Sequence, residues 1–429
     1  MSSRIVINCW GSYGDVFPYI GVGKALQARG YHVTLALPRY YLATVEREGL
    51  DALPVGPDVD PADRDLIARV MDAASGPETL IRDWVMPALR QSYEQLREAA
   101  RDADLIVSHP VTFAAPILAQ QRGMPWVATA LAPMSFFSAS DLPVLPPTPW
   151  LAHLRRLGPW FGRLMVRGVR HATRTWSEPV YRLRAELGLP RGGDPIFEGQ
   201  FSPMLNLALF SRVMAVPQAD WPPHVEETGF VFYNGPDPLS PALEEFLASG
   251  PPPIVFTLGT SAVGAAGAFY EESAAAAARL RRRTVLLTGG FVENTPRRTI
   301  SRDILIVDHA PHQLLFPRAA AIVHQGGIGT TGQALRAGRP ALVVPHAHDQ
   351  PDNAFRVTNL GVARTLFPKS YRADRVAREL ARLLDDTRYV ARATEVAATV
   401  RSEDGASAAA AAIARLAGAP APVAAASIG

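Results

Sequence analysis

Short apolar runs alternate with stretches of helical periodicity along most of the chain. Arg4 to Trp10 reads as a buried strand, followed by a turn at Gly11-Ser12-Tyr13-Gly14-Asp15 and a helix from about Pro18 to Arg29 that Gly30 stops. His32 to Leu37 is the next strand. The same order returns in Leu105 to Ser108, a helix near Ala114 to Arg122, and Trp126 to Ala130. A second series starts at Pro253 to Leu258 and turns at Gly259-Thr260-Ser261. An Ala- and Arg-rich helix then leads to Thr284 to Thr288, Ile304 to Val307, Ala319 to Val323 and Ala341 to Val344. Runs this apolar belong to buried parallel strands, and their alternation with helices predicts doubly wound α/β units. Tyr371 to Leu383 and Tyr389 to Leu416 read as helices.

The pattern breaks twice. Between Pro133 and roughly Leu187 it gives way to Pro-rich loops and aromatic, Arg-rich helices. There, Leu151 to Arg174 (LAHLRRLGPWFGRLMVRGVRHATR) mixes Trp, Phe and Leu with many basic residues. That composition fits a helix pair with one core face and one solvated basic face, a cap on an apolar pocket, or peripheral contact with a membrane surface. Pro217 to Pro253 is Pro- and Gly-rich and reads as linker. The expected organisation is a first α/β domain over 1–216, a linker over 217–252 and a second α/β domain over 253–386. A helical segment over 387–416 and an Ala/Pro tail over 417–429, expected to be disordered, complete it. No internal repeat relates the halves.

With 429 residues the chain is long enough for two domains, each with a substantial core. Hydrophobic residues at 48% against charged residues at 19% describe a soluble globular protein. The pI is near 9.1, yet the formal net charge is only +3, which argues against nucleic acid as the main partner. The single cysteine, Cys9, excludes an internal disulfide, and its place in an apolar strand predicts a buried thiol. Residues 4–10 lack the basic start and long apolar core of a signal peptide, and no apolar run approaches the ~18 residues of a membrane span. A cytoplasmic location is expected.

The chemistry concentrates in Ile322 to Asn353 (IVHQGGIGTTGQALRAGRPALVVPHAHDQPDN). A strand delivers His324 and then Gly326, Gly327 and Gly329; Thr330 and Thr331 lead into a helix to Ala337. A glycine-rich strand-to-helix junction aims backbone N–H groups along a helix dipole. It is an anion site, and the usual anion is a phosphate. No Lys follows the glycines and the spacing is not GxGxxG, so neither a P-loop nor the dinucleotide fingerprint is present. Asp349-Gln350, after the next strand, can hydrogen-bond vicinal hydroxyls of a sugar. Phosphate cradle and hydroxyl reader together point to a sugar nucleotide. Of His309, His312, His324, His346 and His348, only His346 and His348 lie close, without the carboxylate or Cys company of a typical zinc set, so no metal is expected.

This segment resembles the donor-binding signature of the family 1, GT-B-type glycosyltransferases, which ends in the same Asp-Gln. Its start is upstream at Asp308-His309-Ala310-Pro311-His312, where plant members read Trp-Ala-Pro-Gln. The first turn, Gly11-Ser12-Tyr13-Gly14-Asp15-Val16, looks like the Gly-Ser-x-Gly-Asp-Val loop of sterol and glycopeptide glycosyltransferases. The likeness covers the C-terminal half and the opening βαβ unit, and the middle poorly. It implies two Rossmann-like domains facing a cleft, with the last helix crossing back to the first domain. It also implies inverting, metal-independent transfer of a hexose or deoxyhexose from a UDP- or dTDP-sugar to a hydroxyl of a lipophilic small molecule. The nucleotide sugar is then a co-substrate with no further cofactor, and the protein a monomer or weak homodimer. Asp58-Val59-Asp60 matches the Asp-x-Asp of metal-dependent GT-A transferases, but lies in a Pro-flanked loop of the acceptor half and is set aside.

Carried onto this chain, the resemblance assigns roles. Asp15 is the candidate catalytic base, because a carboxylate at the mouth of a cleft accepts a hydroxyl proton, the better if burial raises its pKa. The competing reading makes Asp15 a cap of the helix near Pro18. His109, at the same sheet edge, assists Asp15 or contacts acceptor. His324 and the amides of Gly326 to Thr331 hold the diphosphate, with Thr260 as a second contact. His309 and His312 occupy the base-recognition positions, and Gln333 lies where many relatives carry a Glu for the ribose. Asp349 and Gln350 read the donor sugar, and Asn353 begins the next helix. Two other classes share the donor features: a sugar-nucleotide epimerase, which needs no acceptor, and a non-catalytic sugar-nucleotide-binding partner of another transferase.

Overall fold

The computed structural model describes residues 3–58, 60, 63–233, 235–298 and 301–418; the tail beyond Gly418 lies outside the described residues. The first sheet is built from β1 (Arg4–Asn8), β2 (His32–Leu37), β3 (Asp51–Pro54), β4 (Leu105–Ser108), β5 (Trp126–Ala130), β6 (Leu205–Ala208) and β7 (Val225–Glu227). Its spatial order is β3-β2-β1-β4-β5-β6-β7, every pair parallel. The second contains β8 (Ile254–Thr257), β9 (Thr284–Leu287), β10 (Ile304–Val307), β11 (Ala321–His324), β12 (Ala341–Val343) and β13 (Ala363–Thr365), ordered β10-β9-β8-β11-β12-β13 and also parallel. Each sheet starts in its middle, winds out to one edge and returns to fill the other. The order therefore reverses between β1 and β4 and again between β8 and β11, where α/β sheets take ligands. These are the two Rossmann-like units that the sequence predicts.

Six helices matter for the site: α1 (Tyr13–Gln27), α2 (Pro159–Thr173), α3 (Ile328–Ala337), α4 (Gln350–Asn359), α5 (Thr387–Ser402) and α6 (Gly405–Ala417). α1 starts at Tyr13, five residues before the expected position, because Ser12 caps it and Pro18 sits inside it. Pro18 has no N–H, so the Gly14 carbonyl receives no bond from the next turn. The expected single helix over Tyr389 to Leu416 is two helices. The break falls at Glu403-Asp404, where Asp404 accepts from the Ser407 N–H to cap α6. A side chain at Gly405 would overlap the Phe230 carbonyl, so α6 begins in contact with the strand-to-linker backbone. α6 then packs on α1, burying Ala409, Ala410, Ala412 and Ile413, and thus crosses back to the first half.

The stretch expected to be linker contributes to both halves. Val225–Glu227 forms the seventh strand of the first sheet, and helix Pro241–Ala248 puts Leu243 and Leu247 into a core cluster with Val255, Val285 and Phe316. Another buried cluster is continuous between the halves, joining Ile7, Val16 and Ile20 to Ile328, Val343, Val357, Val396 and Ile413. Cys9 lies within it, fully buried as expected. No described helix is long and apolar enough to cross a membrane.

Candidate active site

The turn after β1 places Asp15 in the first turn of α1. Its Oδ2 accepts from the Ser12 N–H (2.7 Å) and the Ser12 hydroxyl (2.9 Å), while the Ser12 Oγ accepts from the Gly14 N–H (3.2 Å). This is a capping box with Asp in place of the commoner Glu. Asp15 therefore does take part in a cap, from the third helical position of a helix beginning earlier than Pro18. Gly11 has φ +135, and a Cβ there would overlap the Asp15 carboxylate, so the turn admits no side chain at that point.

The second Asp15 oxygen, Oδ1, faces His109 Nε2 at 3.7 Å. His109 follows β4, is 7% exposed, and is anchored by its N–H to the Asn8 carbonyl (3.0 Å). Its Nδ1 accepts from the Val111 N–H (3.3 Å), which leaves the ring hydrogen on Nε2, towards Asp15. Two residues 94 positions apart meet at the first switch point because β1 and β4 are neighbours. Burial pushes the Asp15 carboxyl up, but His109 and the two Ser12 bonds outweigh it, and the net position is below the ordinary carboxylate value. The expectation that burial would raise this pKa is thus corrected: the partners that position the carboxylate also stabilise its charge. About a third of the side chain (34%) remains accessible.

In the second half, His324 ends β11 and is 1% exposed. Its Nδ1 accepts from the Gly326 N–H (3.1 Å), so the neutral ring carries its hydrogen on Nε2 as a donor. Burial, then the nearby His312, pushes its pKa down to about 3, which keeps it uncharged. Gly326 has φ +91, and a Cβ there would lie 2.8 Å from a Val343 methyl and 3.1 Å from the Gln350 carbonyl. Asp349 Oδ2 accepts from the Ile328 N–H at the start of α3 (3.2 Å) and from Asn353 Nδ2 (2.7 Å). Burial, then the negative charge of Asp15, pushes Asp349 up to about 7. Gln350 is 2% exposed, and its Oε1 accepts from the His346 and Ala347 N–H groups (2.8 and 3.2 Å). Half of its amide therefore holds the His-rich loop. α4 starts at Gln350, so Asn353 lies within it, where its Nδ2 also donates to the Gly326 carbonyl (2.9 Å).

Four buried polar atoms around this cradle have no hydrogen-bond partner among the described residues: Gln325 Oε1, Thr331 Oγ1, Asn353 Oδ1 and His346 Nε2. Their concentration here is what a site built for a polar ligand presents. Sequence reading missed Gln325, whose amide nitrogen sits against Gly259 and Gly327, between the two loops of the second switch point. No motif marks it; its position just past β11 is its only signal. Thr260 is exposed in the short turn Gly259–Ala262 after β8. His309 is exposed, and the half-buried His312 stacks on Phe316 (4.3 Å between centroids). Burial, then His309, lowers the pKa of His312 to about 4. Gln333 lines a cavity of about 800 Å³ with Gln313, Leu314, Pro317, Arg336 and Arg401. Among the described residues no three His, Cys, Asp or Glu side chains group as metal ligands would.

The halves meet at these sites. A Cβ on Gly329 would stand 3.7 Å from the Gly14 carbonyl oxygen, so the starts of α1 and α3 face each other backbone to backbone. Two straps flank the junction. On one side, helix Arg64–Val70 reaches the second half through the Arg64–Glu293 ion pair and Arg64 over the Phe291 ring. On the other, Arg356 of α4 (7% exposed) donates to Asp352 (2.7 Å), Asp141 (2.6 Å) and the Met214 carbonyl (3.1 Å). Asp141 also pairs with Arg155, and the Val144 N–H donates to Asp352 (3.0 Å). These contacts tie the Pro-rich loop of the first half to the helix that follows Asp349-Gln350.

Two parallel sheets facing each other, with an acid–imidazole pair on one rim and an anion cradle on the other, define a GT-B glycosyltransferase. Residues 290–416 match the family model for the C-terminal domain of erythromycin biosynthesis protein CIII-like proteins. The chain is 30% identical over 416 residues to O-mycaminosyltylonolide 6-deoxyallosyltransferase of Streptomyces fradiae, covering 94% of each. It is 30% identical over 366 residues to glycosyltransferase GtfE of Amycolatopsis orientalis, covering 84% of this chain and 85% of that one. The solved structure of glycosyltransferase VinC in complex with DTDP superposes with a TM-score of 0.66 at 22% identity, covering 96% of this chain and 99% of that one. The chain belongs to this family of natural-product glycosyltransferases.

Proposed function

We propose that the enzyme transfers a hexose or deoxyhexose from a nucleoside-diphosphate sugar to a hydroxyl of a lipophilic small molecule, with inversion and without a metal ion. Asp15 takes the acceptor proton as its oxygen attacks the anomeric carbon. His109 steadies the carboxylate through Nε2–H. The departing diphosphate draws on the amides of Gly326 to Thr331, the neutral His324 donor and the dipole of α3. Asp349 and Gln350 address the sugar hydroxyls, Gln333 the ribose, and His309 and His312 the base. The observation that carries this reading is the backbone approach of Gly14 to Gly329, which puts Asp15 within electrostatic reach of Asp349. The base and the sugar reader thus share one space, as a single in-line displacement needs. A dTDP-deoxysugar donor is favoured over a UDP-sugar, because a relative of known structure was crystallised with DTDP and another is named for deoxyallosyl transfer.

The test incubates purified enzyme plus chelator with dTDP- and UDP-sugars, with and without phenolic and lipophilic alcohols, following nucleotide release, product mass and anomeric configuration. Acceptor-dependent release with an inverted glycoside is expected. Donor interconversion without acceptor would establish an epimerase instead, and donor binding without turnover a binding protein.

A further inference from the structure

From Leu142 to Ser177 the chain contains no Asp or Glu and six arginines. Arg155 pairs with Asp141, Arg170 with Glu198, and Arg174 lies against His171. Arg156, Arg163 and Arg167 are exposed and make no ion pair among the described residues. Beside them stand exposed apolar side chains: Trp150 (62%), Trp160 (57%), Leu164 (55%) and Leu157 (41%). On α2, Trp160, Arg163, Leu164, Arg167 and His171 follow helical spacing and share one outward face. The inward face supplies Met165, Val166 and Val169 to an apolar cavity shared with Phe137, Leu142 and Val144. One element thus roofs an apolar cavity and presents Trp and Leu interleaved with unpaired cations outside.

A neutral apolar partner would strip the guanidinium groups of water without compensation. A purely acidic partner would match the charge and leave the indoles in solvent. An anionic bilayer accepts both: Trp and Leu enter the boundary between headgroups and acyl chains while Arg reaches the phosphates. We propose that the segment 149–171 docks the enzyme on an anionic phospholipid surface through its outward face, while its inward face stays packed over the apolar cavity. Docking makes no demand on the sugar donor. The route by which a lipophilic acceptor enters from the bilayer rests on the function proposed above.

The full-length protein is centrifuged with phosphatidylcholine vesicles with and without phosphatidylglycerol, at low and high salt, no donor or acceptor being added. Binding is expected only to the anionic vesicles and to weaken with salt. Arg163→Ser with Arg167→Ser, or Trp160→Ser with Leu164→Ser, should each weaken it at least about tenfold. Transfer to a water-soluble acceptor should be unchanged, because none of these side chains lines the cavity or the cleft. No binding to anionic vesicles, or binding indifferent to both double variants, overturns the proposal. So does a self-associated state that either double variant dissolves, which would make this face an interface between copies of the chain. If docking holds and transfer fails, only the acceptor route falls.

Discussion

Asp15 divides its two oxygens between tasks, Oδ2 closing the start of α1 and Oδ1 facing His109. Asp15→Asn keeps an acceptor for the Ser12 N–H and removes the proposed base. It should lower kcat by about 10²- to 10⁴-fold, out of proportion to a modest fall in the unfolding midpoint, as kinetics and urea titration would read. Because His109 and Ser12 hold this carboxyl low, kcat/KM should persist as pH falls through the ordinary carboxylate range. His109→Gln should move that acid limb upward. The stability that Asp15 contributes is present above its unfolded pKa and lost as pH falls through the lower folded value. Asp349 has the opposite sign. Its folded pKa near 7 lies above the unfolded one, so its share of stability is full at acid pH and declines as pH rises to about 7. Urea midpoints measured across that interval should fall for the parent and flatten for Asp349→Asn.

At the scale of elements, the Asp141–Arg356–Asp352 contact joins a loop of one half to a helix of the other through a buried guanidinium. Asp141→Ala leaves that charge one partner short and also frees Arg155, at a cost of about 3 kcal/mol in urea unfolding. The same contact holds α4, which begins at Gln350, so KM for the donor should rise as well. Nothing local announces this contact: Asp141 and Arg356 are 215 positions apart, and each reads in sequence as an ordinary surface charge. Strands were far more legible. β4 and β5 fall where their apolar runs do, since a strand buried on both faces writes its limits in hydrophobicity. The start of α1 is masked in sequence by Pro18, which lies inside the helix, five residues past its start, although Ser12 and Asp15 have already closed the cap. The α5–α6 break was marked only by the polar run Arg401-Ser402-Glu403-Asp404 and Gly405, where Asp404 caps α6 and a side chain at Gly405 would overlap the Phe230 carbonyl. At the site, the glycines, His324 and Asp349-Gln350 stood out as a contiguous motif; His109 was legible as a neighbour of Asp15 from its place at a strand end, and the sheet order supplies their 3.7 Å approach.

For the whole molecule, α6 is the closing tie: it begins against the backbone of Gly229-Phe230 and packs on α1, the helix that carries Asp15. Ile413 is fully buried in the cluster joining both halves, and Ile413→Ala should cost about 3 kcal/mol in urea unfolding. Loosened anchorage of α1 should also lower kcat, which a merely local cavity would not do. The approach of Gly14 to Gly329 has a different kind of consequence. It is a gauge made of main chain, so in the proposed displacement the span from base to sugar is set by atoms that no side-chain replacement alters. Side chains around the cleft can be exchanged while that backbone spacing stays the same.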